Sequence, residues 1–531
     1  IKLTPNRPDC LSIIGVAREV SAITGNPLRK PRVSFREGDT KASELTSVTI
    51  DAPDLCPRYA ARLVLGIRIG SSPYWMRRRL ESTGLRAIDN VVDVSNYVLM
   101  ELGHPLHTFD FDKLGGKCIV VRRARAGERL ITLDEIERQC SDDMLVIADA
   151  EKAVAVAGIM GGSGSHVTDS TANVLIESAY FNPVSISKTA KALNMHTEAS
   201  HRFERGADIE GLITALNRTA QLMQELAGGE ICAGIVDAYP VPRKSVEVKL
   251  RPERVNSILG TELTAEEMRK FLTSIEFQVE SLHGNDMKVV VPSFRPDVTR
   301  EIDLIEEIAR LYGYDNIPIT MPACEVPPES EVTHATAQTM ILRDKVKDVL
   351  SACGLMEVMN YSFHEPEAFN QLQLEDASKY RKALKIRNPL SENQSIVRTT
   401  LVPGLLANIR YNLYRRVTDI RIFEMGRVFH PRRDDEQPEE REFVSGAITG
   451  LIGSQSWNQP TQQVDFFDIK GVVESILREI GIRDYQLRLA NHPTFQPGRC
   501  VELAASDTAM GVFGQVHQSV LDKYDIKQDV Y

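Results

Sequence analysis

Two clusters of proline cut this chain into stretches too short to share one hydrophobic core. Pro240 and Pro242 mark one break, and Pro318, Pro322, Pro327 and Pro328 mark a second. A polar run from Lys30 to Thr46 adds a third. At 531 residues, about three or four domains are expected, because single cores stop growing well below that length. No internal repeat is visible. No apolar run approaches the roughly 18 residues needed to span a bilayer as a helix.

Charge and cysteine usage narrow the class. A formal net charge of -10 argues against a surface coated in basic residues for non-specific nucleic-acid binding, while leaving room for a local basic patch. The eight cysteines (Cys10, Cys56, Cys118, Cys140, Cys232, Cys324, Cys353 and Cys500) contain no C-x-x-C pair. That pattern fits a reducing compartment, hence a cytoplasmic location, and argues against a thiolate zinc site. The sequence opens on Ile1 with no signal-peptide pattern and reads as a piece of a longer polypeptide.

Along the chain, Ile13 to Thr24 predicts a short amphipathic helix ending at Gly25-Asn26. From Ser47 to Asp237, short β-rich runs (SVTI, CIVVRRA, MLVIAD, AVAVAGIMGG, NVLIESAYF) alternate with helical stretches near Trp75–Ser82 and after Pro183. This predicts one α+β domain. Ser245 to Ile317 reads as strand, helix, helix, strand, helix, a winged-helix-like arrangement. His334 to Tyr531, with DIRIFEMGRVF and FVSGAITGLI, suggests a mostly antiparallel sheet flanked by helices, interrupted by the charged loop PRRDDEQPEERE.

The densest chemistry lies in LNMHTEASHRFERGAD, Leu193 to Asp208. A zinc-hydrolase helix needs histidines at i and i+4, whereas His196 and His201 are five apart, roughly 140° around a helix. They cannot share an ion. Two readings stay open: a helix capped by Thr197 or Ser200, or one wall of a pocket. Other stretches bear on the second. Arg86, Asn90, Asn96 and His107 interrupt an apolar framework in GLRAIDNVVDVSNYVLMELGHPLHTFD, and Gly158, Gly161, Gly162 and Gly164 follow a strand. Those glycines lack the P-loop lysine and the G-x-G-x-x-G spacing, but permit close approach to backbone. Glu177 is a lone carboxylate in an apolar strand: either it faces solvent, or it needs a partner or a ligand. Further on, Asp303, Glu306 and Glu307 fall at i, i+3 and i+4, with Asp297 just ahead. Such a face is either favourable charge at a helix start or an oxygen-only set suited to Mg²⁺.

TPNRPDCLSIIGVARE, LRAIDNVVDVSNYVLMELGHPLHTFD, AGIMGG, MHTEASHRFERG and PSFRPDVTREIDLIEEIARLYGYDNIP together make the chain resemble the bacterial phenylalanine–tRNA ligase beta subunit, over essentially its whole length. The resemblance implies an α+β multidomain protein. Residues 1–40 would be a remnant of an N-terminal domain, 45–240 an editing domain of B3/B4 type, 243–318 a winged-helix-like, magnesium-binding module of B5 type, and 330–531 a class II synthetase-like domain without catalytic residues. The amino-terminal OB-type tRNA-binding module and the carboxy-terminal anticodon-binding module of the family would be missing.

The implied activity is hydrolysis of misacylated Tyr-tRNA(Phe), beside an alpha subunit that charges tRNA(Phe) with ATP in an α2β2 enzyme, with no membrane partner. The implied editing pocket is Arg86, Asn96, Pro105, His107, Gly158, Gly161, Glu177, Thr197 and Ala199. Glu177 would meet the tyrosine phenol, the two glycines would make room for its ring, and Ala199 would form a close wall. Asp297, Asp303, Glu306 and Glu307 would hold Mg²⁺. Arg421-Ile422-Phe423-Glu424 echoes a class II ATP-binding strand, but GVFGQVHQSV lacks the glycine-rich strand's arginine, so this domain is expected to act as a scaffold. A different class of function, a non-catalytic nucleic-acid-binding or assembly protein, would need a basic stripe between Ser245 and Ile317, and none is apparent.

Overall fold

The computed structural model describes residues 2–282, 284–321, 334–433, 436–453, 456–458, 460–505 and 508–531. Cys324, Pro322, Pro327 and Pro328 of the second proline cluster, and Asp434 and Asp435 of the charged loop, fall outside the described residues. The chain divides into two compact units, Ile1–Met321 and Pro322–Tyr531.

The first unit begins with helix α1 (Ile13–Thr24). The Ser12 hydroxyl accepts from the Gly15 amide at its start, and Gly25 stops it in the left-handed region at φ 72°. Strand β1 (Glu37–Lys41), the one-turn helix α2 (Ala42–Leu45), β2 (Ser47–Ile50) and β3 (Arg58–Leu65) lead to helices α3 (Tyr74–Ser82) and α4 (Val92–Leu102). Next come β4 (Leu106–Asp110), β5 (Cys118–Arg123), the hairpin β6 (Arg129–Ile131) and β7 (Glu137–Gln139), β8 (Leu145–Ala148), β9 (Ala153–Val156), β10 (Met160–Gly161) and β11 (Asn173–Tyr180). Helices α5 (Pro183–Ala192), α6 (Glu198–Phe203) and α7 (Leu212–Ala227) precede β12 (Glu230–Ala233) and β13 (Val236–Ala238).

Apart from the β6–β7 hairpin, these strands form two sheets. One has the order β1-β12-β3-β11-β4, with β13 also pairing β3, and the other the order β10-β9-β8-β5-β2. In β3 and β11 nearly every residue is buried, so neither strand shows the alternation of a half-exposed one. Helix α7 packs on both, presenting Leu212, Ala215, Leu216, Thr219, Ala220 and Met223 as one apolar stripe. Arg58 and Arg62 survive inside β3 because each has a carboxylate: Arg58 pairs with Asp237 at 2.9 Å and Arg62 with Glu37 at 2.7 Å.

The rest of this unit is a small antiparallel sheet in the order β14-β16-β15 with three helices. Its elements are β14 (Val246–Leu250), α8 (Pro252–Leu259), α9 (Ala265–Ser274), β15 (Gln278–Ser281), β16 (Met287–Val291) and α10 (Glu301–Tyr312). Leu250, Val255, Met268, Leu272, Val289, Leu304 and Ile308 make its core.

The second unit runs through α11 (His334–Ala352), β17 (Met356–Glu357), β18 (Phe363–His364), α12 (Ala368–Gln371), β19 (Ile396–Val397), α13 (Val402–Leu413), β20 (Ile420–His430) and β21 (Glu439–Thr449). It ends with α14 (Phe466–Ile480), β22 (Gln486–Leu489), β23 (Phe495–Ala505), β24 (Thr508–Val516) and α15 (Gln518–Lys523). The sequence suggests one mostly antiparallel sheet. Among the described residues the strands instead form three, β17-β20-β21, β22-β23-β24 and β18-β19, and β17 runs parallel to β20. The long β20–β21 ladder, from Ile420↔Thr449 to His430↔Glu439, matches the expected strand pair. No described helix is long and apolar enough to cross a membrane.

Candidate functional site

Strands β4 and β11 run antiparallel in a register that sets His107 directly opposite Glu177. Opposed residues on such strands project to the same face, so an imidazole and a carboxyl share one wall of a small cavity of about 60 Å³. Ile147, Ala155, Val156, Met160 and Gly161 of the second sheet face them. Pro105 lines the mouth, and Ala199 and Phe203, one turn apart on α6, close the end.

The Ala199 wall is held in place by its helix start. Thr197 is the N-cap of α6: its hydroxyl oxygen accepts from the Ser200 amide at 3.0 Å, while the Ser200 hydroxyl accepts from the Thr197 amide at 2.9 Å. The same Thr197 hydroxyl donates to the Ile159 carbonyl at 2.9 Å, tying α6 to the loop before β10. Both sequence readings of this stretch therefore hold at once, since the helix cap positions the pocket wall. His196 and His201 are exposed, and His201 Nδ1 pairs with Arg205 instead of an ion.

Glu177 is only 5% exposed. Burial among Ile147, Ala155 and Ala199 pushes its carboxyl up to about 8, against a smaller opposing pull from the Tyr59 hydroxyl, which donates to Oε2 at 3.0 Å. His107 is moved the other way: burial holds its imidazole down to about 4, so the ring is neutral at pH 7. That ring stands edge-on to Phe109 at 4.5 Å between centroids, and among the described residues its Nε2 has no hydrogen-bond partner. The cavity thus offers an uncharged carboxyl and an uncharged, unpartnered ring nitrogen, both surrounded by apolar groups. Such a site suits a ligand with an aromatic body and a polar tip.

Residues 55–228 match the family model for the B3/4 domain, residues 248–314 that for the tRNA synthetase B5 domain, and residues 317–531 that for the phenylalanyl tRNA synthetase beta chain CLM domain. The phenylalanine–tRNA ligase beta subunit of Geobacter metallireducens is 46% identical over 534 residues, covering 100% of this chain and 66% of its own length. That of Moorella thermoacetica is 46% identical over 522 residues, covering 98% of this chain and 64% of its own length. The chain belongs to the phenylalanine–tRNA ligase beta subunit family. It spans about 66% of the length of the first of these relatives.

Within this family member, six of the nine expected pocket residues line the cavity: Pro105, His107, Gly158, Gly161, Glu177 and Ala199. Arg86 lies exposed in the loop after α3 and Asn96 is half-buried on α4, and neither lines it. Thr197 stands behind the wall as its anchor. The glycines act differently from the expectation that they make room for a ligand ring. A Cβ on Gly161 would sit 2.7 Å from His107 Nε2, and one on Gly158, at φ +66°, would lie 2.8 Å from both Ile186 and Phe181. The space is taken by the protein's own rings.

The expected Mg²⁺ face is arranged as an ion-pair network. Both oxygens of Asp297 accept from Arg295, at 2.9 and 2.8 Å. Glu307, nearly fully buried, accepts from Arg295 and from Arg310. Burial opposes its charge, but the two arginines win and hold it down to about 2. Asp303 accepts from the Thr299 and Arg300 amides at the start of α10, and Glu306 is exposed. Among the described residues no three of these four bring ligand atoms within 4.8 Å of one another. As arranged here Asp297 and Glu307 are matched to guanidinium and Asp303 to helix amides, an arrangement that does not fit Mg²⁺.

Tyr59, Phe203 and Arg295 are residues the sequence reading passes over. A tyrosine inside a strand buried along nearly its whole length was the available signal for the first, because its hydroxyl must find a partner when buried.

Proposed function

We propose that this chain carries the proofreading site of a phenylalanine–tRNA ligase and hydrolyses Tyr-tRNA(Phe). The observation that carries the reading is the buried, uncharged carboxyl of Glu177 in a small apolar cavity. A synthetic pocket shaped for a phenyl ring rejects the same ring bearing one more hydroxyl only weakly, whereas a site built to hydrogen-bond that hydroxyl discriminates strongly. Tyrosine pairs with Glu177. Phenylalanine would leave the carboxyl's cavity-facing oxygen without a partner, at a cost of about 1–3 kcal/mol.

Hydrolysis needs a water at the ester carbonyl. The water oxygen bonds to the carbonyl carbon, the bond to the ribose oxygen breaks, and the proton goes to the departing ribose hydroxyl. His107, neutral with Nε2 free, is suited to hold that water in line, and Ala199 limits how far the ring can slide.

We read residues 45–240 as the editing domain, 243–318 as the winged-helix-like module and 330–531 as a class II-like scaffold. In the scaffold, Glu424 accepts from Arg398 at 2.6 Å and from Asn360 at 2.8 Å, while Arg421 donates to the Leu451 and Ile452 carbonyls. These side chains are spent on the fold, which supports a non-catalytic role. ATP would then be bound by an alpha subunit, in an α2β2 assembly that charges tRNA(Phe).

The test is to present Tyr-tRNA(Phe) and Phe-tRNA(Phe) separately to the full-length assembled enzyme. Faster release of tyrosine is expected. Equal rates, or release of phenylalanine first, would overturn the reading.

A further inference from the structure

Tyr59 is fully buried on β3, opposite Ala179 and two residues along from Glu177 on β11. Residues so placed meet diagonally on one face of a sheet. Glu177 lines the cavity and Tyr59 does not, so the phenol reaches Oε2 from behind. Among the described residues this is the one hydrogen bond the Glu177 side chain makes. Two other titratable groups face the carboxyl. Cys56 is a buried thiol kept protonated by burial and by the nearby carboxyl, and it donates to the Arg58 carbonyl. His107 stands across the ladder as a neutral ring. Neither donates to Glu177.

We propose that Tyr59 is a positioning residue for tyrosine selectivity: its hydroxyl takes one oxygen of Glu177, fixes the carboxyl's orientation, and leaves the other oxygen to bond the phenol of a bound tyrosine. This rests on the editing reading above. A carboxyl's terminal torsion is broad and only weakly two-fold, so an untethered Glu177 would spread over many orientations in a cavity that needs one. A donor at Oε2 also stabilises the ionised form. Removing it should leave an oxygen orphaned among apolar groups and make the carboxyl hold its proton to higher pH.

The test is Tyr59→Phe in the full-length beta subunit assembled with its alpha subunit, which deletes one oxygen and keeps the ring. Single-turnover hydrolysis of Tyr-tRNA(Phe) and Phe-tRNA(Phe) is followed on both sides of the Glu177 ionisation near pH 8. The ratio of the two rates is expected to fall about tenfold or more, through slower tyrosine release, and the pH break in that ratio should move upward. In a Glu177→Ala background, Tyr59→Phe should change the ratio no further. Fluorotyrosine at position 59, a stronger donor of the same shape, should move the break downward, and it tests the idea should the phenylalanine variant fold poorly. Wild-type selectivity left intact with an unmoved pH break, or an additive loss in the Glu177→Ala background, overturns the role of Tyr59 alone. A wild-type enzyme with no preference between the two esters overturns the editing reading and this role with it.

Discussion

His107 and Gly161 occupy one another's space: a Cβ on Gly161 would sit 2.7 Å from His107 Nε2. The imidazole fits against Gly161 because the chain offers no side chain there. Gly161 is in extended backbone, so the constraint is one of room and not of φ. Gly161→Ala should therefore push the ring off its place on Phe109, at about 1–3 kcal/mol of overpacking. Tyr-tRNA(Phe) hydrolysis should drop more than tenfold while the melting temperature falls by only a few degrees, which is about what that energy implies. Retained hydrolysis with unchanged stability would show that the ring has somewhere else to go.

The contrast between Gly161 and Ala199 marks what the sequence could tell. Both were legible as pocket residues, through the resemblance of AGIMGG and HTEASH, but what each does there was not. Ala199 is a wall, as expected. Gly161 serves His107, a neighbour 54 residues away in sequence, and no local pattern carries such a contact. The same limit hid Tyr59, whose partner is 118 positions on, and strand β3, where Arg58 and Arg62, paired with distant carboxylates, interrupt the apolar run that marks β11. Elements with one solvated face, such as α1, α5 and the β14–β16 pair, were readable because alternation and caps survive in them. The helix start at Thr197 was readable for the same reason. Helix α7 was passed over although its stripe is strong. Asn217, Arg218 and Thr219 break the apolar run, and Thr219 is hidden in the core by donating to the Ala215 carbonyl.

Arg295 lies between Asp297 and Glu307, and all three side chains are largely buried. Through Arg310 and Glu19 the network continues to Arg7 and Asp9 beside α1. Arg295→Met should cost about 3–5 kcal/mol, because it strands two carboxylates away from water. Urea unfolding of the first unit's signal would measure it. A chelator should leave the wild-type transition where it was. If a chelator lowered it as far as the substitution does, the carboxylates would be serving a metal and not the arginines.

Arg398 and Glu424 form a second buried pair, with side chains 6% and 4% exposed. Glu424 ends the Arg421–Glu424 stretch of β20 that echoes a class II ATP-binding motif, and both its carboxylate oxygens accept from the fold, one from Arg398 and the other from Asn360. With that side chain tied to the fold, the chain on its own should give no phenylalanine-dependent exchange of pyrophosphate into ATP. Adding the alpha subunit should restore exchange, and Arg398→Met should weaken that restoration by destabilising the scaffold. Exchange by the chain alone, at a rate like that of the assembled enzyme, would mean that ATP reaches a site these contacts do not block.

Glu177 ties selectivity to stability through one proton. Its folded-state carboxyl titrates at about 8, against 4.5 for the exposed group, so the folded protein binds this proton more tightly than the unfolded chain does. The stabilisation is fully present below pH 4.5 and is lost as pH rises through about 8, in total on the order of a few kcal/mol. Glu177→Gln keeps the shape and cannot ionise. Between pH 5 and 9 the wild-type melting temperature should therefore fall relative to that of Glu177→Gln, with the gap opening between pH 5 and about 8 and levelling off above. Selectivity should follow the same proton: the wild-type ratio of Tyr-tRNA(Phe) to Phe-tRNA(Phe) hydrolysis should break near pH 8, where the carboxyl passes from donating to the phenol oxygen to accepting the phenol's own hydrogen. Glu177→Ala should abolish the preference at every pH. Melting curves of wild type and Glu177→Gln that stay parallel across that range would place the carboxyl in contact with water and remove the physical basis of the discrimination.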